Sequence, residues 1–344
     1  KTTLQRRLSM KNVLVTGGAG FIGTHLVKRL SQNPEISQID VVDNLSVYTE
    51  QQKKQVRKKI CLDSKIKFIE MSVVDFLEEC RPVLPYTDIV HLASPVGPVG
   101  ILKYAGKMGL MIIEDTTKIT ELASAHNARL LLMSTSEVYG RMTSEKQTES
   151  DVKNICSKIT VRSEYSIAKL LSEICVANFA KVQLLEYVIV RPFNVVGFGQ
   201  VGSGGYVIPA FINAALSNEP LLVFGDGTQR RVFTCVTEFC RVLEMLMMIS
   251  GDKLREVSDP IFNVGNPNNN YSILEVASLV RTITESRSEI KLVDPKTIHG
   301  QLYEDAPSRN PNVQKLQSFL NFTLKKTLAE IVRETITSDF QNKA

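Results

Sequence analysis

Thr135, Ser136 and Glu137 follow the apolar run RLLL (129–132) in the stretch MSTSEVYG. Strands buried in a parallel sheet rarely end so densely polar. Two hydroxyls and a carboxylate at such an end are suited to hydrogen-bonding a substrate hydroxyl and moving its proton. Some 25 residues later, RSEYSIAKLLSE sets Tyr165 and Lys169 four apart, hence on one helical face. A tyrosine near its ordinary pKa of about 10 is a poor base at neutrality. A neighbouring ammonium favours the phenolate and makes proton abstraction feasible. Y-x-x-x-K alone is a common helical accident, so its weight depends on what else the chain brings to that place.

It brings a glycine loop. In VLVTGGAGFIG, Gly17, Gly20 and Gly23 lie between an apolar strand pattern and an amphipathic helix pattern. Glycines there permit a tight turn and let backbone N–H groups and the helix N-terminus approach a pyrophosphate. Asp43 ends the second strand pattern, twenty residues past Gly23. A carboxylate in that position hydrogen-bonds the adenosine ribose and repels a 2′-phosphate, so NAD is expected rather than NADP. The positive charge of an oxidised nicotinamide would further favour a Tyr165 phenolate.

These residues need a scaffold. Strand candidates are NVLVT (12–16), QIDVVD (38–43), IKFIE (66–70), DIVHLA (88–93), RLLLMST (129–135) and EYVIVRP (186–192), with helical patterns between them. Continuous apolar strands joined by helical crossovers predict an α/β fold: a doubly wound parallel sheet of the Rossmann type, covered on both faces. Beyond Pro192 the rhythm breaks into Gly- and Pro-rich stretches, and LKKTLAEIVRETITSDF is the last helical pattern. The reading is a nucleotide-binding domain over 10–192, with segments near 235–267 returning to it. Residues 193–234 and 268–340 then form a smaller C-terminal α/β substrate lobe.

Composition narrows the class. With 43% hydrophobic and 22% charged residues, the chain is ordinary globular protein. A net charge of +5 with no long basic run gives no reason to expect nucleic acid; KKQVRKK (53–59) reads as a solvated helix face. No apolar run approaches the ~18 residues of a membrane span, and the polar opening KTTLQRRLS shows no signal-peptide pattern. Cysteines 61, 80, 156, 175, 235 and 240 form no C-x-x-C pair, and His25, His91, His126 and His299 are scattered. Reduced cytoplasmic thiols and no metal site are the expectation. His91, ending a strand pattern, is expected to be a packed, hydrogen-bonded residue.

Taken together, these motifs resemble the extended short-chain dehydrogenase/reductases that modify nucleotide sugars. The likeness spans nearly the whole chain: VTGGAGFIG, VVDNLS, HLAS, STSEVYG, YSIAK, RPFNVVG, VFGDGTQRRVF, FNVGNP and RNPNVQK occur in that group's order and spacing. It implies NAD contacts from Gly17, Gly20, Phe21, Ile22, Gly23, Asp43, Asn44, Val73, Leu92, Ala93, Tyr165 and Lys169. Lys169 would hold the nicotinamide ribose. It implies nucleotide-sugar contacts from Pro95, Thr135, Asn194, Val207, Arg231 and Arg309. Helices near 108–127 and 163–181 would pair across a two-fold axis into a four-helix bundle, making a homodimer. Two departures stand out. EMSVVD offers Ser72 and Val73 where relatives often carry an acidic residue near the adenine, and FTCVTE puts Cys235 where they read F-x-x-V-x-D.

Within that group the shared opening is oxidation of the sugar at C4, with the tyrosine taking the hydroxyl proton. The sequel depends on the residues after Thr135. Simple 4-epimerases often have small residues there, whereas 4,6-dehydratases use a glutamate to take the C5 proton. UDP-glucuronate decarboxylases resemble this chain in Thr-Ser-Glu and in an arginine followed by x-Phe, here Arg231. RSEY and YEDAPSRNP tilt the same way. The first expectation is therefore a UDP-glucuronate-type decarboxylase with Thr135, Ser136, Glu137, Tyr165, Lys169 and Arg231 as catalytic residues. A 4,6-dehydratase or 4-epimerase is the alternative. A catalytically idle NAD- or nucleotide-sugar-binding sensor would be expected to have lost Tyr165 or Lys169.

Overall fold

The structure is a computed structural model that describes residues 10–60, 63–80, 85–140, 144–154, 159–200, 205–300 and 308–341. The polar opening, Cys61, Cys156 and the YEDAP part of the C-terminal motif lie outside these residues.

The six predicted strands form as β1 (Lys11–Thr16), β2 (Ile36–Val42), β3 (Ile66–Ile69), β4 (Asp88–His91), β5 (Arg129–Met133) and β6 (Tyr187–Pro192). Past β6 come the short strands β7 (Val195–Val196), β8 (Leu221–Phe224), β9 (Arg230–Val232) and β10 (Thr234–Cys235). The chain then returns as β11 (Ile261–Val264), and β12 (Asn270–Ser272) and β13 (Ile290–Val293) follow. The main sheet has seven strands in the order β11-β6-β5-β4-β1-β2-β3, with every pair parallel. Strand order reverses between β1 and β4, which opens a crevice at the C-terminal ends of those strands.

Both faces of the sheet are covered, and strand alternation assigns side chains to each. Helix α1 (Phe21–Ser31) follows β1; α2 (Glu50–Ile60), α3 (Val73–Glu79) and α4 (Gly97–Lys103) follow β2, β3 and β4. The long α5 (Met108–Ala125) and α6 (Val161–Gln183) precede β5 and β6. Val13, Val15, Val41 and Leu131 pack with Leu26 and Leu30 of α1 and with Phe239 and Leu243 of a later helix. Leu14, Leu130, Leu132 and Ile189 face the other way, onto Ile119 and Ala123 of α5 and Val176 and Ala180 of α6. In chain order the remaining helices are α7 (Val207–Leu216), α8 (Val236–Met248, which carries Phe239), α9 (Gly251–Arg255), α10 (Ile273–Ile283), α11 (Lys296–His299), α12 (Gln314–Leu320) and α13 (Leu328–Gln341). A separate apolar cluster joins Phe211 and Ile212 of α7, Val223 of β8, Val276 and Val280 of α10, and Ile331 and Val332 of α13.

At β5 and at the last helix the boundaries differ from the sequence expectation for local reasons, and β4 likewise stops two residues short of 93. The strand expected over 129–135 stops at Met133, because the Thr135 side chain accepts from the Glu137 N–H (3.1 Å) and starts a 3₁₀ turn, Ser136–Tyr139. The last helix begins only at Leu328, where Thr327 and the Glu330 carboxylate cap its first turn.

Beneath the ends of β5 and β6 lies a buried ion pair. Arg191 of β6 meets Glu173 of α6 at 2.6 Å, each side chain 3% exposed. Glu173 also accepts from the Ser134 hydroxyl, and Arg191 donates to the Tyr139 oxygen at 2.9 Å. Removing one partner of such a pair strands the other charge in a low-dielectric interior. Glu173→Ala is expected to lose about 3–5 kcal/mol of stability, measured as a lower urea midpoint with unchanged slope. A loss below about 1 kcal/mol, typical of exposed pairs, would show that water relieves Arg191.

Candidate active site

The crevice collects the sequence-predicted residues from three directions. From β1 comes the glycine loop. Gly17 has φ +67°, and a Cβ there would come within 2.6 Å of the Ala93 N atom. At Gly23 a Cβ would run into the Gly17 carbonyl and the Gly18 backbone, so α1 can pack against the loop only with glycine at this position. Gly20 is the N-cap of α1. It has no side-chain cap, and the first turn, which holds Phe21 and Ile22, contains no acidic residue. The N–H groups at this helix end are thus left to an external anion, a cradle that fits a dinucleotide pyrophosphate.

Asp43, just past β2, braces the loop. Its carboxylate accepts from the Ala19 N–H (3.1 Å) and the Leu45 N–H (2.8 Å). Burial pushes its pKa up, opposed by these donors and by the Gly20 backbone. Each carboxylate oxygen has a second lone pair, so ribose hydroxyls can still be received. Asn44 beside it is exposed and bonds the Ser46 N–H at 3.1 Å. Val73 is buried at the start of α3, whose cap is Ser72. The Leu92 N–H reaches the Thr16 carbonyl (3.0 Å) and the Ala93 N–H reaches the Thr16 hydroxyl (3.4 Å). His91 is buried and bonded to Thr16 at 2.7 Å; burial, then the Lys169 charge, lowers its pKa to about 3. It is therefore a neutral packing residue.

From α6 come Tyr165 and Lys169, both buried. Lys169 donates to the Met133 carbonyl at 3.0 Å. Burial lowers its pKa to about 8, while Asp115 of α5 and Glu173 pull upward. Burial and the Glu137 charge hold the Tyr165 phenol above the ordinary value, outweighing the Thr135 side chain and Arg309, which pull its pKa down. This corrects one expectation: the protein's own groups do not bring the tyrosine down. Lys169 spends a hydrogen bond on strand β5, and Glu137 acts against the phenolate.

The third direction is the far wall. Glu137 is 14% exposed, and its Oε1 receives Arg162 Nη1 at 2.8 Å. Its Oε2 lies 3.9 Å from Arg309 Nη2. Burial raises the Glu137 pKa, but Arg309, Arg162 and Arg231 together carry it below the usual carboxylate range. Arg309 is itself buried, and its pKa is lowered to about 10 by burial and by its fellow cations, against Glu137. Its Nε has no hydrogen-bond partner. Arg231 of β9 is buried and bonds the Arg230 carbonyl at 2.9 Å. Three guanidiniums thus approach Glu137, and planar forks of this kind suit carboxylate or phosphate groups.

Ser136 is buried beside Thr135. Asn194 stands outside the cluster: it is exposed, at φ +29°, with its amide on the Val232 carbonyl at 2.9 Å. Pro95 and Val207 are half-buried, Val207 opening α7 beside Tyr206. Arg162 carries no role in the sequence reading, although its three-residue spacing from Tyr165 puts both on one helical face. Among the described residues no group of three or more His, Cys, Asp or Glu side chains can hold a metal ion. No described helix is long and apolar enough to cross a membrane.

The profile of the NAD dependent epimerase/dehydratase family matches residues 13–265. The UDP-N-acetyl-alpha-D-glucosaminuronate decarboxylase of Bacillus cytotoxicus is 32% identical over 332 residues, covering 95% of this chain and 97% of its own. UDP-glucuronic acid decarboxylase 6 of Arabidopsis thaliana is 34% identical over 323 residues, covering 94% and 87%. In fold, the UDP-glucose 4-epimerase of Thermotoga maritima superposes with a TM-score of 0.81 at 24% identity, covering 96% of this chain and 99% of that one.

Asp43 is the expected ribose partner, which generates a test. Asp43→Asn should weaken NAD binding roughly tenfold to a hundredfold, the about 1.5–3 kcal/mol of a charge-assisted bond, and weaken NADP binding less. Calorimetry with both dinucleotides reads the ratio, and an unchanged preference for NAD would remove Asp43 from the ribose.

Proposed function

Because the chain belongs to the NAD-dependent epimerase/dehydratase family, we propose that it is a nucleotide-sugar decarboxylase acting on a UDP-linked uronate. The observation that carries this reading is the group of Arg162, Arg231 and Arg309 around Glu137. A uronate brings a carboxylate that a planar guanidinium fork can receive, a role that a neutral hexose does not call for. Both decarboxylase relatives support the same choice.

Bound NAD supplies the hydride acceptor, so that a sugar carbon is oxidised and reduced again within one turnover. The chain's residues do the rest. Tyr165 takes the proton of the sugar 4-hydroxyl, with Thr135 hydrogen-bonded to the same oxygen. Lys169 holds the nicotinamide ribose. A ketone at C4 makes the C5 carboxylate a β-keto acid; the C5–C6 bond breaks, carbon dioxide leaves, and the electron pair is held as an enolate on C5 and the C4 oxygen. Arg231 orients the departing carboxylate, and Ser136 and Glu137 order the proton that returns to C5.

In this reading, residues 10–192 with 235–267 form the NAD domain, and 193–234 with 268–340 form the nucleotide-sugar lobe. Gly17, Gly20, Phe21, Ile22, Gly23, Asp43, Asn44, Val73, Leu92 and Ala93 contact NAD, while Pro95, Asn194, Val207 and Arg309 contact the nucleotide sugar. The active species is a homodimer joined through α5 and α6. Its support is an apolar outer stripe: Leu110 is 79% exposed, and Ile167, Leu171 and Ile174, at helical spacing, are each more than 40% exposed. A cytoplasmic location accords with Cys235 and Cys240 as free buried thiols.

The decisive experiment incubates the NAD-loaded enzyme with UDP-glucuronate, UDP-glucose, dTDP-glucose and GDP-mannose and reads products by mass. Loss of one carbon dioxide from the uronate is expected, and Tyr165→Phe should abolish it by several orders of magnitude while NAD stays bound. Loss of water means a dehydratase, unchanged mass with altered retention an epimerase, and no product an idle binder. Light scattering should give twice the chain mass, reduced to one by Leu171→Glu with Ile174→Glu; a wild-type monomer at micromolar concentration would end the dimer proposal.

A further inference from the structure

Arg162 sits in an unfavourable place for a cation. It is the second residue of α6, in the first turn after the cap Thr160, whose hydroxyl accepts from the Ser163 N–H at 3.2 Å. Helix N-termini carry partial positive charge and disfavour a guanidinium. The side chain is also largely out of water, at 15% exposure. Glu164 in the same turn does not relieve it: its carboxylate is committed to the N–H groups of Gly106 and Gly109 at 2.7 and 2.8 Å. Among the described residues Glu137 offers compensation, its Oε1 accepting from Arg162 at 2.8 Å. The 3.9 Å between Glu137 Oε2 and Arg309 is too long for a hydrogen bond. One oxygen is held firmly, and the other has no short hydrogen bond among the described residues.

We propose that Arg162 is a positioning residue that anchors one oxygen of Glu137 and leaves the other to the sugar; this rests on the decarboxylase reading above. Arg162 and Tyr165 lie one turn apart on α6, so a single rigid element aims both the phenol and, through the ion pair, the carboxylate. Among the described residues, the charged and titratable groups facing Glu137 are Arg162 and Tyr165 from α6, Arg231 from β9 and Arg309 from the C-terminal segment. Arg162 is the one among them with a short hydrogen bond to the carboxylate. Without it, burial and the two remaining arginines oppose each other more evenly, and Glu137 gains protonated population toward neutral pH. A strut that merely tied the 3₁₀ turn to α6 would affect stability and nothing else.

The test compares Arg162→Met, which removes the charge at similar length, with Arg162→Lys, which keeps it. Infrared titration of the Glu137 carboxyl, taken as the difference from Glu137→Gln in sugar-free protein, should show its midpoint displaced upward in Arg162→Met and near wild type in Arg162→Lys. With UDP-glucuronate, Arg162→Met should lower kcat roughly tenfold to a hundredfold, part of the about 10²–10⁴ that a positioned acid–base group contributes. The acid limb of its kcat profile should move with the infrared midpoint, and KM should change less than about threefold. Arg162→Lys should recover part of kcat. An unmoved infrared midpoint, or a loss confined to KM or to melting temperature, overturns the proposal. If Arg162→Met does not fold, Arg162→Gln, which also removes the charge, takes its place with the same readouts and the same overturning results. The infrared arm uses no sugar, so a wild-type enzyme that leaves the uronate untouched would defeat the decarboxylase reading separately.

Discussion

A carboxylate taken out of water must find cations or give up its charge, and the active-site wall is built around that constraint. Glu137 is drawn into the crevice by the 3₁₀ turn that ends β5. Three arginines from separate parts of the chain meet it there: one on α6, one on β9 and one in the segment before α12. The converse constraint is as strong. Three guanidiniums this close repel one another, and Arg309 has its pKa lowered by burial first and by this repulsion second. Among the described residues Glu137 is the carboxylate these arginines share, and a negative group on a ligand would be drawn to the same place.

Helix α6 carries most of the site on one stripe. Arg162, Tyr165, Lys169 and Glu173 follow at intervals of three, four and four, the spacing that keeps side chains on one helical face. Each grips a different point. Arg162 holds Glu137, Tyr165 meets Thr135, Lys169 reaches the Met133 carbonyl, and Glu173 takes the Ser134 hydroxyl with Arg191. Strand end and helix are thereby locked in register over five consecutive residues, from 133 to 137. The opposite side of the same helix presents Ile167, Leu171 and Ile174 outward, so this apolar stripe lies one helix thickness from the polar one.

The other half of the crevice works by geometry with little charge. Glycines let α1 and the turn after β4 close on the loop, and Asp43 ties that loop from below through the Ala19 N–H. The result is a helix end with unused N–H groups, the feature that makes the place suitable for a pyrophosphate. Dinucleotide cradle and charged wall face each other because the sheet reverses its order between β1 and β4.

Local sequence determined a good deal. Strand positions, the glycine turn, Asp43 at the end of β2 and the Tyr165–Lys169 face were readable because hydrophobic period and turn chemistry act over a few residues. What the sequence did not decide was how charges distant along the chain add. Arg162 was passed over because its partner lies 25 residues away, and Arg231 and Arg309 became part of one cluster only when β9 and the C-terminal segment folded against the β5 end. The Tyr165 phenol followed the same logic: four-residue spacing from a lysine suggested a lowered pKa, yet burial and Glu137 raise it. Desolvation and Coulomb interactions depend on distance in space, and only the tertiary structure sets those distances.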